Sequence, residues 1–579
     1  MTKRLQFYAS FAAHRHTLLQ SLTELPLNFS SNPAPSTWPR SVLLLIAGLF
    51  TWVWLAALGG RGLFSPDEGR YAEIAREMLA RGDWILPHLN AYPYFEKPPL
   101  QYWATATAFQ WFGTHDWSAR LWTGLCGLLT VFACAWTGQV LFDRQRGIVA
   151  ALVLGSSLLW YYLGHYATLD MGVAAMLSGA VFAFIYAQHD RASLNAQRIG
   201  MYVAWACAAL AVLSKGLIGI VLPLGTLAAY VLWQRDWARL KKLHLRWGLV
   251  IFFCMTAPWF IAASAQHAQF AQFFFVHEHW TRFVTTSHGR SAPGWYFIPV
   301  ILIGLAPWTF ALPGALARAL HRTTTQFQPQ RFLLTWIVVV FSFFSLSGSK
   351  LPSYVLPIFP AAALLIADWL CVSRRRRIFW ICASTAFAAA CLYAVAEPWL
   401  ASDSNPAHVA AFMPWMHPAT LALTLCAGLA AGFAWWAKPA IAQTLLAVGG
   451  VAFVQLLLVG YTALAPVYSA RDVVAQMTAQ PSPPAASDTL YLVDTFDHAF
   501  LFYANRTGIM VGYRDELVQP IQWAPGAYLP SVSAFERVWQ NEQNAIALMR
   551  PSMYTELQAR GLPMRELARD VRRVVVSRQ

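Results

Sequence analysis

Asp67, Arg70, Tyr71 and Ile74 follow the three-and-four spacing of one helical face, so a carboxylate, a guanidinium and a phenol project together. A few residues on, YFEKPPLQYW (Tyr94–Trp103) carries Glu96 and Lys97, and Pro98 biases Lys97 toward an extended backbone. Such groups can orient a nucleophile, hold an anion or stabilise developing charge. Both sets lie in one polar stretch, Gly62–Trp103, within a chain that is otherwise mostly apolar. Ionisable groups at a bilayer surface are costly unless they face protein, water or ligand, which marks this stretch as a functional-site candidate.

Further chemistry-bearing residues fall in short connections that the topology below assigns to the same side. Lys215 lies in LSKGL, Arg282 and Arg290 follow FFFVHEHW, and Lys350 lies in SGSKLPSY ahead of Tyr354. With Lys97 and Arg70 they could surround a phosphate-bearing ligand, Lys acting as a point charge and Arg as a bidentate fork. The membrane context makes that ligand a lipid phosphate. In HYATLD, Asp170 at a span terminus requires a partner, either His165 or a base of the first loop. His277 and His279 are two apart, which on a helix sends them to different faces and excludes an HExxH site. A divalent ion such as zinc is the metal these residues could hold, through Glu96 or Asp67 with one histidine, His277.

Structural roles compete with each of these readings. Ser65 as N-cap, Pro66 at the first helical position and Glu68 three residues on spell a capping box, so Glu68 is expected to serve the helix start. Asp67 at the same end is favourable to the helix dipole. Glu96 and Lys97 alone could be a surface pair among interfacial aromatics, and each outer cation a snorkelling anchor.

The elements that must position these residues are mostly membrane spans. The chain has 579 residues, 57% hydrophobic and only 12% charged, with a mean hydropathy of +0.43. Soluble proteins carry roughly 25% charged residues. Apolar segments of spanning length fall at 41–60, 117–141, 146–163, 168–188, 199–213, 216–233, 246–265, 293–316, 331–348, 351–371, 377–396, 417–437 and 440–465, about thirteen in all. Alternate loops hold Arg144 and Arg146; Arg191 and Arg198; Arg235, Arg239, Lys241, Lys242 and Arg246; Arg318, Arg322 and Arg331; and Arg374 to Arg377. The positive-inside rule puts these loops in the cytoplasm, and the polar stretch and the carboxyl terminus outside. The formal charge of +15 is thereby explained without nucleic acid, for which no basic stripe or recognition module is present. A lipid transporter would concentrate polar and broken-helix residues near the midplane, whereas here they gather at the outer ends.

The polar stretch reads as a surface helix ending near Arg81 and Gly82, followed by a second short helix around 100–112. The first forty residues (1–40) form a polar tail without a signal-peptide core, expected to be cytoplasmic and loosely ordered. Residues 41–465 form the membrane domain, with outer segments 61–116 and 266–292. In 466–579, PSPPAAS is a linker or loop, and DTLYLVD, GIMVGY, AIALM and VRRVVVS read as strands among helical pieces such as Met553–Arg560. That gives an all-α polytopic membrane protein with a small mixed α/β domain outside. The eight cysteines lie inside apolar runs and read as core residues. The outer domain has none, so it cannot be disulfide-stapled.

SPDEGRYAEIAREMLARGDWILPHLNAYPYFEKPPLQYW resembles the first periplasmic loop of the bacterial lipid A aminoarabinose transferase family, within the GT-C glycosyltransferases that include protein O-mannosyltransferases. The resemblance implies transfer of 4-amino-4-deoxy-L-arabinose from undecaprenyl phosphate to lipid A phosphates at the periplasmic face of the inner membrane, by a monomer among membrane lipids. By matching positions it implies functional roles for Asp67, Arg70, Tyr71, Tyr94, Glu96 and Lys97, and, through shorter matches, for Asp170, Lys215 and Tyr354. Asp67 and Asp170 are then the catalytic acids. An acceptor phosphate is already ionised and needs no base, so Asp67 is expected to orient the acceptor, hold a metal or stabilise charge on the sugar. Lys97, Lys215 and Arg70 are suited to the departing phosphate, and Glu96 to the sugar's amine. A related transferase of another polyprenyl-linked sugar is the main alternative.

Overall fold

The computed structural model describes residues 39–275, 292–400, 407–523 and 528–578. Among the described residues nine helices are long and apolar enough to cross a membrane. Two more are bent pairs, Arg144–Ser156 with Leu158–Gly164 (66°) and Phe297–Gly304 with Thr309–Ala319 (111°), and Ile218–Gln234 and Ile358–Val372 are shorter apolar helices. Each of the thirteen expected apolar segments falls on one of these, among the described residues. Leu169–Gln188 is the most enclosed and Arg40–Gly59 the least, with Leu44, Leu45 and Trp52 turned outward as lipid-facing side chains are.

The two bends have local causes. At Gly155–Ser157 the hydroxyls of Ser156 and Ser157 donate back to Leu152 O (2.5 Å) and Val153 O (2.7 Å), competing with the helix, and Leu158 N donates instead to Ala306 O (3.0 Å). Facing it, Pro307 has no N–H for the second pair's ladder. Trp308 Nε1 donates to Ser156 Oγ (2.9 Å), tying the two breaks together.

The polar stretch forms helix α1 (Asp67–Arg81), a hairpin of β1 (His88–Leu89) and β2 (Tyr92–Pro93), and helix α2 (Leu100–Phe112). Gly82, at φ 67°, ends α1 in the left-handed conformation with its N–H on Leu79 O (3.3 Å). The start of α1 departs from expectation. Pro66 occupies the cap position and Ser65 makes no capping bond: its hydroxyl donates to Asp497 Oδ1 (2.6 Å), far along the chain.

In the C-terminal region six strands make one mixed sheet: β3 (Thr489–Val493), β4 (Ile509–Val511), β5 (Tyr528–Leu529), β6 (Ala545–Met549), β7 (Arg565–Arg569) and β8 (Val574–Ser577), in spatial order β5-β4-β3-β6-β8-β7. The first four run parallel; β7 and β8 are antiparallel additions. Helices cover both faces, which is why strands such as AIALM are apolar throughout rather than alternating. Leu490 and Leu492 face a core shared with Ile74, Tyr94, Tyr102 and Phe109 of the first loop, whereas Tyr491 and Val493 pack on Phe535 and Trp539. The sheet and the loop are therefore built on one core. The approach is close: a Cβ on Gly69 of α1 would sit 2.5 Å from Ala499 N, in helix α3 (His498–Ala504). Residues 1–38 lie outside the described residues.

Candidate functional site

The foundation of the site is a buried ion cluster under α1. Glu68 is fully enclosed and accepts from Arg120 Nε (2.7 Å) and Nη2 (2.9 Å), from Arg61 Nη2 (3.1 Å), and from Phe64 N (3.1 Å) and Ala167 N (2.9 Å). Its reach back to Phe64 N retains the helix-start role expected for Glu68, but without Ser65 as partner. Burial works to raise this carboxyl's pKa, yet the charges of Arg120 and Arg61 with their hydrogen bonds outweigh it and bring it down to about 2. Both arginines also donate to main-chain oxygens, Arg120 to Leu58 O, Arg61 O and Gly62 O and Arg61 to His165 O. Chain entry into α1 is thus locked to the helix beginning at Asp116.

On the opposite face of α1 stand the residues with chemistry to spare. Asp67 is partly exposed, and Arg70 reaches it at 3.4 Å and Glu516 Oε2 at 2.9 Å. Glu516 in turn contacts His498 Nε2 (2.7 Å), so a second carboxylate, from the C-terminal region, holds Arg70 in place. Burial would raise the Glu516 carboxyl, but His498 and Arg70 draw it below the usual carboxylate range. Tyr71 lies within the electrostatic reach of Asp67, Arg70, Asp170 and Glu96; Tyr94 within that of Glu96, Glu516 and Arg70. Burial first, then these acids, push both phenols well above their ordinary pKa, so they stay neutral hydrogen-bond donors. Lys97 Nζ donates to Glu96 O (2.8 Å) and lies 3.9 Å from its carboxylate.

Asp170 begins one long helix and Lys215 ends the next, and the two form an ion pair. The partner of Asp170 is therefore Lys215, neither His165 nor a base of the first loop. His165 is instead buried with Nδ1 on Tyr161 O (2.7 Å) and Nε2 on Trp54 O (2.8 Å), which occupies both ring nitrogens structurally. Lys215 Nζ also lies 4.4 Å over the Tyr354 ring. Lys350 is buried, with Nζ on Ser347 O (2.7 Å) and no carboxylate partner among the described residues.

The structure thus pairs Asp67 with Arg70, Glu96 with Lys97, and Asp170 with Lys215, which lies over Tyr354, while Tyr71 and Tyr94 belong to the core shared with the C-terminal sheet. All lie at helix ends or in connections on one side, none at mid-span. His277, Arg282 and Arg290 lie outside the described residues. Among those described, no group of three or more His, Cys, Asp or Glu is placed to hold a metal ion. Arg61, Arg120, Glu516 and His498 were missed from the sequence. Only Arg120, a charge inside an apolar run, carried a readable signal.

The family model described as "Aminoarabinose transferase C-terminal domain" matches residues 474–578, and that described as "Dolichyl-phosphate-mannose-protein mannosyltransferase" matches residues 42–274. An undecaprenyl phosphate-alpha-4-amino-4-deoxy-L-arabinose arabinosyl transferase of Pectobacterium carotovorum subsp. carotovorum (strain PC1) is 37% identical over 339 residues, 57% of this chain and 59% of that protein. The similarity therefore spans about three fifths of the length of the curated relatives. The crystal structure of ArnT from Cupriavidus metallidurans bound to undecaprenyl phosphate is similar over 93% of this chain and 98% of that one, with a TM-score of 0.88 and 34% identity. The apo form of that protein gives a TM-score of 0.86.

Proposed function

Because the chain belongs to the ArnT family of polyprenyl-phosphate-dependent glycosyltransferases, we propose that it moves 4-amino-4-deoxy-L-arabinose from undecaprenyl phosphate to lipid A phosphates at the periplasmic face of the inner membrane. The observation that supports this reading is geometric: Arg70 is set between Asp67 (3.4 Å) and Glu516 (2.9 Å), and Lys215 is paired with Asp170 and lies 4.4 Å over the Tyr354 ring. Lowering the negative charge of lipid A would weaken binding of polymyxin and other cationic peptides. The chain acts as a monomer among membrane lipids.

In the proposed reaction an acceptor phosphate oxygen attacks the anomeric carbon as the bond to the polyprenyl phosphate breaks. The electron pair leaves with that phosphate, and the anomeric configuration inverts. Lys97 and Lys215, each held by a neighbouring carboxylate, are the cations that meet the departing charge. Arg70, braced by Glu516, orients a phosphate oxygen. Asp67 faces the sugar as positive charge develops, and Glu96 accepts from the sugar's ammonium. Tyr71 and Tyr94, kept neutral, donate hydrogen bonds without adding charge. Were a divalent ion bound, Glu96 and His277 would be its ligands, and no step depends on it.

Mass spectrometry of lipid A from a transferase-null strain that makes the donor tests the assignment. Expression of the chain adds an aminopentose, and Asp67→Ala abolishes the addition while inserting normally. Absence of the addition with the wild-type chain would remove the substrate assignment. Transfer of mannose to protein by the same membranes would favour the mannosyltransferase reading, for which the match over residues 42–274 is the support.

A further inference from the structure

A second polar concavity lies apart from the reaction cluster, in the C-terminal sheet. Chain order departs from spatial order beside β3: the chain winds from β3 through β4 to β5, then returns to β6 on the other side. Loops leaving the carboxyl ends of β3 and β6 consequently part to opposite sides, and a crevice at such a switch point is where open parallel sheets take ligands. Here it is an open cavity of ≈ 440 Å³, lined among others by Thr495, Asp497, Arg550, Ser552, Arg572 and Arg573. Thr495 and Asp497 follow β3; Arg550 and Ser552 follow β6, at the start of helix α4 (Pro551–Ala559); Arg572 and Arg573 come from the turn before β8.

The crevice offers donors and has few free acceptors. Arg573 is only 3% exposed; its Nε is on Asp497 Oδ2 (2.6 Å) and its Nη1 on Asp570 Oδ2 (2.8 Å) and Ser469 O (3.2 Å). Its Nη2 is buried with no hydrogen-bond partner among the described residues. An unpaired buried guanidinium nitrogen costs about as much as a lost charged hydrogen bond, so Arg573 is left short of one acceptor in the wall of the crevice. Among the described residues Arg550 is exposed and makes no side-chain hydrogen bond or ion pair, and the Arg572 side chain donates only to Val467 O, at 3.4 Å. The lining carboxylate, Asp497, is already committed: Oδ1 to Ser65 Oγ and Phe500 N, Oδ2 to Arg573. Three guanidinium groups, the Ser552 hydroxyl and the amides of Ser552 and Met553 that follow Pro551 at the start of α4 match a tetrahedral oxyanion with three free oxygens. Val467 and Ser469 stand at the end of the long apolar helix Pro439–Tyr468, so the crevice opens next to the membrane surface.

We propose that this crevice is a phosphate-binding site, for a phosphomonoester group, distinct from the reaction cluster. Its place beside the membrane favours a phosphate carried on a lipid over a soluble one. Binding of radiolabelled inorganic phosphate is measured by equilibrium dialysis on the full chain in phosphatidylcholine nanodiscs. Saturable binding is expected, weakened about tenfold by Arg550→Gln and by Arg572→Gln. Both residues are exposed, so neither change threatens folding as loss of Arg573 would. The same losses are expected in a Lys97→Ala background, which removes one of the reaction cluster's own proposed phosphate contacts. Displacement of the label by phosphatidic acid in the discs identifies a lipid-borne ligand, and loss in the Arg variants without that displacement identifies a soluble phosphomonoester. Either result supports the site. Phosphate binding unchanged in Arg550→Gln/Arg572→Gln would overturn it, and would leave the transfer assignment, read by lipid A mass spectrometry, untouched.

Discussion

Arg70 of α1 and Glu516 of the C-terminal region form an ion pair at 2.9 Å, and His498 closes on the same carboxylate from the other side. A region more than four hundred residues downstream therefore sets the direction of a guanidinium in the first loop. Glu516→Gln keeps the shape but removes the charge, so Arg70 is expected to turn toward Asp67 and lose its aim at phosphate. Transfer should fall by about tenfold or more, the worth of one charge-assisted hydrogen bond. Glu516→Asp should recover part of the loss. In vitro transfer with purified donor and acceptor reads the effect; unchanged rates in Glu516→Gln would show that Arg70 is positioned without it.

Under α1, Glu68 holds two arginines in a fully enclosed cluster. Removing one member of such a cluster leaves charge buried without compensation, at a cost of roughly 3–5 kcal/mol. Glu68→Gln and Arg120→Met should both lower the yield of folded protein and its thermal midpoint in detergent. Arg120→Met is the more telling, since Arg120 also satisfies the carbonyls of Leu58, Arg61 and Gly62. A stable Arg120→Met protein would refute the structural role given to the cluster.

The same carboxylate fixes an acid dependence. Its pKa is about 2 in the folded chain against an ordinary value of 4.5, so the unfolded chain binds more protons between these limits. Stability from this group is fully present above about pH 4.5 and is lost as pH falls toward about 2, by on the order of 3 kcal/mol. Chemical denaturation of wild type and Glu68→Gln across pH 3–7, on the order of the range set by linkage, should show the difference between them narrowing as pH drops. A constant difference would contradict the assignment.

What could be read from the sequence was local. Asp67, Arg70 and Tyr71 share a face because helix geometry relates positions three and four apart, and the end of α1 at Gly82 follows from a residue that accepts positive φ. The apolar segments fell on helices for the same reason: hydropathy over some twenty residues is a property of the segment itself. Contacts closed from afar were not legible. Ser65 has every credential of a cap, yet Asp497 takes its hydroxyl. Asp170 had two nearby candidates and pairs with Lys215 on the adjoining helix. β7, RELAR, hides its strand character in charged residues, as an edge strand does, and β5 is only two residues long.

The Asp170–Lys215 pair allows structure and function to be separated by a double-variant cycle. As a partly buried ion pair joining two helix ends, it supports folding as long as both charges are present or both are absent. Asp170→Asn and Lys215→Met alone should each reduce the amount of inserted protein, whereas Asp170→Asn/Lys215→Met should recover much of it. In the proposed reaction the ammonium itself, held over the Tyr354 ring at 4.4 Å, meets the departing phosphate charge. The double variant should accordingly be well inserted but remain down by roughly a hundredfold or more in rate per folded molecule, the loss typical of one electrostatic stabiliser. Quantitative immunoblotting of membranes gives the first quantity and lipid A mass spectrometry the second. If rate and abundance recover together, Lys215 serves only to brace Asp170, and the departing phosphate is met by Lys97 without it.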